Sequence, residues 1–255
     1  MTMKLDVGQT LSGMRNLMLG DVPHEEDFLF FRQIRKSDRP VVFVDVGANA
    51  GQSAISFLMN CPHGRVISFE PNQLYKPVLE GVRDLLGASR FEFHLCGLSD
   101  IESELDLYIP HVDGVPYMQE ASLTLSQFEK PWVHDRLKSY GTRVEIIPVR
   151  ASFKIADDVV GQADVVKIDA EGAEMSVLSG MRRLIENSSP IFLIENNDWS
   201  AVTEYLKAFG YDVYKYLKDA GELQSMSGAT TNCFYLKANH FSDYSIVPVS
   251  AKQGV

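Results

Sequence analysis

Residues Val41–Gln52 read VVFVDVGANAGQ, an apolar run that ends in an acid and then turns through two glycines into a helical pattern. The segment Val41–Val44 is short, apolar and rich in β-branched side chains, as in a strand that is buried on both faces of a parallel sheet. Gly47 and Gly51 allow a tight turn and the close approach of a ligand to the backbone. In α/β folds such a turn binds a ligand between the end of the first strand and the N-terminus of the next helix. The stretch therefore predicts an α/β fold with a ligand site after its first strand.

The turn lacks the second glycine of a dinucleotide-binding loop. That fingerprint is G-x-G-x-x-G, and Asn49 stands where its second glycine would make room for a pyrophosphate. Asp45 adds a negative charge that would repel a diphosphate and attract an ammonium or sulfonium group. A glycine-rich turn is also compatible with a strand-to-helix connection that binds nothing. We predict a cationic cofactor without a diphosphate, contacted by Asp45, Gly47, Asn49 and Gly51.

Two further acids end the next two predicted strands. Glu70 closes the strand Arg65–Glu70 and lies 25 positions after Asp45, a spacing that suits an acid accepting both hydroxyls of a ribose. Asp100 follows the third strand, where it is placed either to meet an adenine or to begin a turn. The glycine loop and Glu70 together describe an adenosine with a cationic amino-acid tail. This ligand is S-adenosylmethionine.

The remaining sequence alternates strand and helix patterns, which implies right-handed crossovers and a doubly wound, mostly parallel sheet. A long span without strong periodicity interrupts this rhythm after Asp100, and such spans in compact domains are usually functional or mobile. We interpret it as a substrate-facing insertion. The predicted organisation is a helical extension (1–39), one α/β domain (40–240) with its insertion at about 101–149, and a C-terminal tail (241–255).

Composition restricts the class of protein. The chain has 255 residues with 45% hydrophobic content, enough for one α/β domain with a sizeable core. A net charge of −10 and the absence of basic runs disfavour nucleic-acid binding. The three cysteines lack C-x-x-C spacing and indicate reduced thiols. With no signal core and no run of membrane-spanning length, we expect a cytoplasmic protein without a membrane partner, and the sequence leaves open whether it forms a homo-oligomer.

The run Val166–Glu174, VKIDAEGAE, follows a buried strand pattern. By strand alternation Lys167 and Asp169 point to the same face, so they are predicted to form an ion pair near the strand tip. Glu171 and the last residue of the run fall in the first turn of the next helix, where negative charge is favoured whether or not it has a catalytic role. Asp169 overlooks the ligand crevice, and we therefore predict catalytic roles for Asp169 and Lys167.

Asp169 also belongs to a candidate metal site. Glu195 and Asn196 end the neighbouring strand, and the three side chains would offer the oxygen ligands that Mg²⁺ prefers. A bound Mg²⁺ would lower the pKa of an acceptor hydroxyl and orient it. The alternative is that these groups simply hydrogen-bond the acceptor.

Without a metal, an alcohol acceptor needs a base. The candidates are His111 and His134 in the insertion, followed by His94 in the third strand, although a lone histidine is more often structural than catalytic. Four aromatic residues of the insertion are placed either to stack on a sugar or macrocycle or to pack the insertion itself: Tyr108, Tyr117, Trp132 and Tyr140.

Three segments, Val44–Gly51, Phe69–Asn72 and Val166–Glu174, resemble the FkbM-type family of S-adenosylmethionine-dependent methyltransferases. The resemblance covers roughly Val41 to Lys237 and is poor in the insertion. It implies the class I methyltransferase fold, a Rossmann-like, doubly wound sheet of seven mostly parallel strands with an antiparallel last strand. It also implies O-methyl transfer to a small molecule such as a sugar, glycoside or polyketide-type natural product.

Other functional classes remain open at this point. One is a catalytically silent adenosine-binding module that regulates a partner, and another is a methyltransferase that acts on a protein. A nicotinamide-dependent oxidoreductase is disfavoured by Asp45 and Asn49.

Overall fold

The computed structural model describes residues 7–36, 38–244 and 246, and its centre is an eight-stranded sheet in the order β11-β10-β12-β9-β8-β1-β2-β3. These strands are β1 (Val42–Val46), β2 (Arg65–Phe69), β3 (Phe91–His94), β8 (Val165–Ile168), β9 (Ile191–Glu195), β10 (Asp212–Leu217), β11 (Glu222–Ser225) and β12 (Asn232–Leu236). Strands β1, β2, β3, β8 and β9 pair with one another in parallel, so their carboxyl ends meet at one edge of the sheet.

The helices lie between these strands and at the N-terminus. They are α1 (Val7–Gly20), α2 (Gln52–Asn60), α3 (Lys76–Leu86), α4 (Pro131–Tyr140), α5 (Ala156–Val159), α6 (Glu174–Gly180), α7 (Arg182–Ser188), α8 (Trp199–Lys207) and α9 (His240–Asp243). Short 3₁₀ helices span Glu26–Gln33, Gln73–Tyr75, Met118–Glu120 and Leu125–Glu129. No helix in the described part of the chain is long and apolar enough to cross a membrane.

The doubly wound sheet is confirmed, but it has one strand more than the predicted seven. The last strand, β12, lies between β9 and β10 and is antiparallel to both, as the family resemblance implied for the last strand. After β10 the chain turns at Gly221, whose φ is +67°, and β11 folds back onto the edge of the sheet. This turn adds an eighth strand, which the sequence analysis did not predict because most residues of β11 are polar.

Strand alternation divides the core into two layers. On one face, Phe43 of β1 packs against Phe28 and Phe31 of the N-terminal 3₁₀ helix. On the other face, Val44 and the alternate residues of the neighbouring strands pack against helices α6 to α8. Because both faces are covered by helices, the parallel strands are apolar along most of their length.

A second sheet, in the order β4-β7-β5-β6, corresponds to the predicted insertion. Its strands are β4 (Gly97–Ser99), β5 (Ser103–Val112), β6 (Val115–Pro116) and β7 (Val144–Ile155). The insertion therefore spans residues 97–155, a longer segment than the predicted 101–149. The third predicted strand ends at His94, and the chain continues as β4, where Gly97 is paired with Phe153 and a Cβ on Gly97 would lie 2.3 Å from Cε1 of that ring.

Asp164 anchors the segment before β1 to the sheet. The Arg39 guanidinium donates to both of its carboxylate oxygens, at 2.6 and 2.7 Å, and the Val42 amide donates at 2.9 Å. Lys36 lies 2.9 Å from the same carboxylate and Tyr244 donates to it at 3.1 Å. Burial would raise the pKa of Asp164, but these donors hold it below its ordinary value.

We expect Asp164→Asn to lower the free energy of unfolding by about 2 kcal/mol at neutral pH, because charge-assisted hydrogen bonds to a buried carboxylate are lost. A lowered folded-state pKa stabilises the protein above the unfolded pKa, and the contribution is lost as the pH falls through the folded pKa. Urea unfolding of both proteins from pH 7 to pH 3 checks this. A difference that stays constant down to pH 3 would contradict the role of the ionised carboxylate.

Candidate functional site

The loop after β1 forms one wall of a cleft at the carboxyl edge of the main sheet. Gly47 has a φ of +86°, and its amide donates to the Phe69 carbonyl at 3.0 Å. A Cβ on Gly47 would lie 1.9 Å from the carbonyl oxygen of Asp169. Glycine is therefore required by the conformation and by the close approach of the chain after β8.

Glu70 holds this loop from the end of β2. Its carboxylate accepts the Asn49 amide at 2.7 Å and the Asn72 amide at 2.8 Å. Asn49 has a φ of +49°, a left-handed conformation that asparagine tolerates better than most residues. Glu70 is 6% exposed, and its burial raises its pKa to about 7 although both amides oppose this shift. The arrangement places an acceptor carboxylate at the cleft, as the ribose prediction requires.

The cleft has about 810 Å³ of empty space, a volume that includes solvent at its open mouth. Gly47, Asn49, Glu70 and Asp169 line one side, and the second sheet lines the other. The apolar side chains of the cleft are Leu98, Leu107, Met118, Leu123 and Phe153. The insertion that we expected to face the substrate thus lies against the same cleft as the glycine loop and the ribose acid.

Three of the predicted cofactor residues do not line this cleft. Asp45 is fully buried, where its Oδ2 accepts the Ser68 hydroxyl at 3.0 Å and burial raises its pKa. Gly51, with a φ of +91°, precedes α2 and is buried against the side chain of Val82. Asp100 is exposed and accepts the hydroxyl of the preceding serine at 3.1 Å. These residues shape or flank the site, and the surface offered to a ligand comes from their neighbours.

Lys167 and Asp169 form the predicted ion pair, with 3.0 Å between Nζ and Oδ2. The side chain of Lys167 is 4% exposed and that of Asp169 is 28% exposed. Burial would lower the pKa of Lys167, but Asp169, Asp45 and Glu25 together hold it above its ordinary value. Lys167 therefore keeps its proton and fixes the orientation of the Asp169 carboxylate at the cleft.

The three predicted magnesium ligands do not form one site, because Asn196 is directed away from the other two. Asn196 turns to the opposite face, where its Oδ1 accepts the Tyr235 hydroxyl at 3.1 Å and its Nδ2 donates to the Ile194 carbonyl at 3.1 Å. The Lys167 ammonium already occupies one oxygen of Asp169. Within residues 7–36, 38–244 and 246, no three His, Cys, Asp or Glu side chains are grouped to hold a metal ion. The residues present do not fit the Mg²⁺ site.

None of the three histidines suggested as bases is among the residues that line the cleft. His111 is in β5 opposite Glu145 of β7, and His134 is an exposed residue of α4. His94 stacks on Phe69 with ring centroids 5.0 Å apart, and its Nε2 lies 3.1 Å from a Glu92 oxygen. The aromatic rings of Tyr117 and Tyr140 stack on each other at 4.4 Å, so this pair packs the insertion.

Sequence reasoning missed a histidine on the N-terminal segment that lies on the same face of the sheet as Lys167. Nδ1 of His24 is 2.9 Å from the Ser56 hydroxyl, and its Nε2 is 3.4 Å from Glu25. Glu25 in turn approaches Asn232, at 3.4 Å. The residues around His24 have no motif or periodicity, and only packing of the N-terminal segment on the sheet brings them here. The apolar residues of the cleft were missed for the same reason.

Comparison with known proteins gives concordant results. A family model described as the methyltransferase FkbM domain matches residues 45–217. Methyltransferase 1 of Beauveria bassiana (strain ARSEF 2860) is 24% identical over 183 residues, which are 67% of this chain and 72% of that protein. The crystal structure of methyltransferase FkbM from Methylobacillus flagellatus KT has a TM-score of 0.51 and 22% identity, over 92% of this chain and 56% of that chain. The chain therefore spans little more than half the length of that structure.

Proposed function

Because the chain belongs to the FkbM family of methyltransferases, we propose that it transfers a methyl group from S-adenosylmethionine to a hydroxyl of a small-molecule acceptor. Its fold is that of the class I S-adenosylmethionine-dependent methyltransferases. The observation that carries the proposal is the cleft in which the glycine loop and Glu70 lie beside the Asp169 carboxylate.

The cleft provides a separate surface for each part of the cofactor. Glu70 would accept the ribose hydroxyls, because it lines the cleft and the Asn49 and Asn72 amides hold its carboxylate in place. The apolar side chains of Leu98, Met118 and Phe153 would contact the adenine. The backbone at Gly47 can be approached closely because it has no Cβ. When bound, S-adenosylmethionine supplies an electrophilic methyl group on a positively charged sulfur.

Asp169 is the residue that we expect to orient the acceptor. Methyl transfer is an in-line displacement, and holding the nucleophile in the correct geometry supplies much of the acceleration. The Lys167 ammonium restrains the Asp169 carboxylate, whose second oxygen remains able to accept a hydroxyl proton donor. We therefore assign Asp169 a binding role towards the hydroxyl and Lys167 a positioning role through Asp169.

The acceptor class follows from the family and from the polar groups at the cleft. Carboxylates that accept hydrogen bonds suit the hydroxyls of a sugar, glycoside or polyketide-type alcohol. No step of the proposed reaction involves Mg²⁺, because the residues do not fit that ion. We also propose no catalytic role for His111, which is paired with Glu145 in the second sheet, or for His134, which is exposed on α4.

The test is a panel of methyl glycosides and polyketide-type alcohols incubated with methyl-labelled S-adenosylmethionine, with EDTA or with added Mg²⁺. We expect labelled methyl ether and S-adenosylhomocysteine with at least one alcohol, at the same rate in both conditions. Cofactor binding without turnover of any alcohol would instead favour the silent regulatory module. Turnover that EDTA abolishes and Mg²⁺ restores would contradict the metal-independent reaction.

A further inference from the structure

Glu195 is a carboxylate at the carboxyl edge of the sheet that the proposed reaction has not yet used. It is the last residue of β9 and is half-buried. Among the described residues, its side chain has neither a hydrogen-bond donor nor an ion-pair partner, in contrast to Asp169, which is bonded to Lys167. Its oxygens are therefore free to accept a proton from a ligand.

The register of the strands places Glu195 beside Asp169. Lys167 of β8 is paired with Leu193 of β9, and both Asp169 and Glu195 follow two residues later on the same face. Neighbouring strands lie about 5 Å apart, so the two carboxylates are adjacent at the strand tips. Asn232 of β12, which is paired with Glu195, points to this face as well and bonds Glu25 and Asp27.

The other groups near Asp169 are less suited to take a proton. Lys167 is protonated and has no acceptor lone pair in that state. Asp169 is engaged by the Lys167 ammonium. Both ring nitrogens of His24 are occupied, one by Ser56 and the other by Glu25, which lies close to Lys167. Glu171 lines the cleft on the turn after β8 without a described partner, and Glu195 is the carboxylate without a described partner that ends a strand on the face of Asp169.

We propose that Glu195 is the base that takes the proton of the acceptor hydroxyl during methyl transfer. This assignment rests on the proposed function. The acceptor oxygen forms a bond to the methyl carbon, the carbon–sulfur bond breaks with its electron pair going to sulfur, and the hydroxyl proton goes to a Glu195 carboxylate oxygen. The sulfonium charge disappears as the carboxylate is neutralised, and the proton leaves to solvent through the half-exposed side chain.

The surroundings of Glu195 support this role. Burial and the neighbouring Asp169 charge raise its pKa to about 7, and Lys167 opposes the shift. Glu171 of the turn after β8 and Glu25 of the N-terminal segment add further negative charge on the elements that face it. A general base is most effective when its pKa is close to the working pH. The ionised form predominates above pH 7, so the rate should rise as the pH increases through this value.

The experiment compares wild type, Glu195→Gln, Glu195→Asp and the control Glu204→Gln in the labelled-methyl assay with the pooled alcohol panel. Glu204 is an exposed carboxylate on α8, the helix that follows β9. We expect kcat to fall about 100-fold or more in Glu195→Gln, because general base catalysis contributes about 10²–10⁴-fold. The dissociation constant for S-adenosylhomocysteine, measured by calorimetry, should change by less than about threefold, because Glu195 lies outside the proposed ribose contacts.

Two further readouts separate a base from a structural residue. The wild-type rate should rise through about pH 7 and then level off. The rate of Glu195→Gln should no longer increase over this pH range, and Glu195→Asp should retain part of the activity. Wild-type turnover with unchanged kcat in Glu195→Gln would overturn the inference and leave the proposed function intact. Absence of wild-type turnover with every alcohol would overturn both. Loss of activity in Glu195→Gln together with wild-type turnover that EDTA abolishes and Mg²⁺ restores would also overturn it, because Glu195 would then act on a metal.

Discussion

Replacing Glu70 with alanine is expected to raise the dissociation constant for S-adenosylmethionine about 100-fold, which corresponds to about 2.7 kcal/mol. A hydrogen bond to a charged group contributes about 1.5–3 kcal/mol, and the alanine variant loses the carboxylate that we assign to the ribose. It also releases the Asn49 and Asn72 amides, which donate to this carboxylate at 2.7 and 2.8 Å. Isothermal titration calorimetry with S-adenosylmethionine and S-adenosylhomocysteine measures the change.

Glu92→Gln is a matched control for this variant. Glu92 is a partly exposed residue of the neighbouring strand β3 and pairs with Arg65 away from the cleft. Glu70→Gln retains one oxygen acceptor and should bind the cofactor with intermediate affinity. Thermal unfolding of all variants without cofactor shows whether the loop change affects the whole fold. Equal dissociation constants for wild type and a folded Glu70→Ala would remove the ribose assignment.

Gly47→Ala is expected to lower the free energy of unfolding by about 2–5 kcal/mol. A left-handed conformation costs a residue with a Cβ about 1–2 kcal/mol, and steric overlap in a packed region costs about 1–3 kcal/mol. The overlap is with backbone, since the new Cβ would lie 1.9 Å from the Asp169 carbonyl oxygen. Relief requires the loop and the chain after β8 to separate, so methyl transfer should fall as well. Urea unfolding and the labelled-methyl assay measure the two effects.

Gly210→Ala isolates the cost of the backbone conformation. Gly210 has a φ of +84°, close to that of Gly47, and a Cβ there would meet no described atom within 4 Å. It ends the segment after α8, far from the glycine loop in the sequence. We expect a loss of about 1–2 kcal/mol in this variant. If both variants lose the same stability, the close approach of Asp169 to the loop is not what requires glycine at position 47.

The site was predictable where consecutive residues carry the chemistry. The glycine turn, the acid Glu70 and the Lys167–Asp169 pair depend on local backbone conformation and on strand alternation, and both are visible as spacing in the sequence. Asn196 shows the limit of this reasoning. It follows Glu195 directly, but alternation sends its side chain to the opposite face, where the Tyr235 hydroxyl donates to it. The side-chain oxygens of Asp169, Glu195 and Asn196 therefore do not form the predicted set of three metal ligands.

The sequence alone determined the doubly wound sheet, the position of the glycine loop and the order of the acids along the carboxyl edge. It could do so because hydrophobic periodicity and positive-φ turns are local properties of the chain. The tertiary structure decided that the insertion lines the cleft beside the glycine loop, that the N-terminal segment brings Glu25 close to Lys167, and that Glu195 lies beside Asp169 with no partner among the described residues. These results depend on packing between segments far apart in the sequence, and the free energy of such contacts is not encoded in any single stretch of residues.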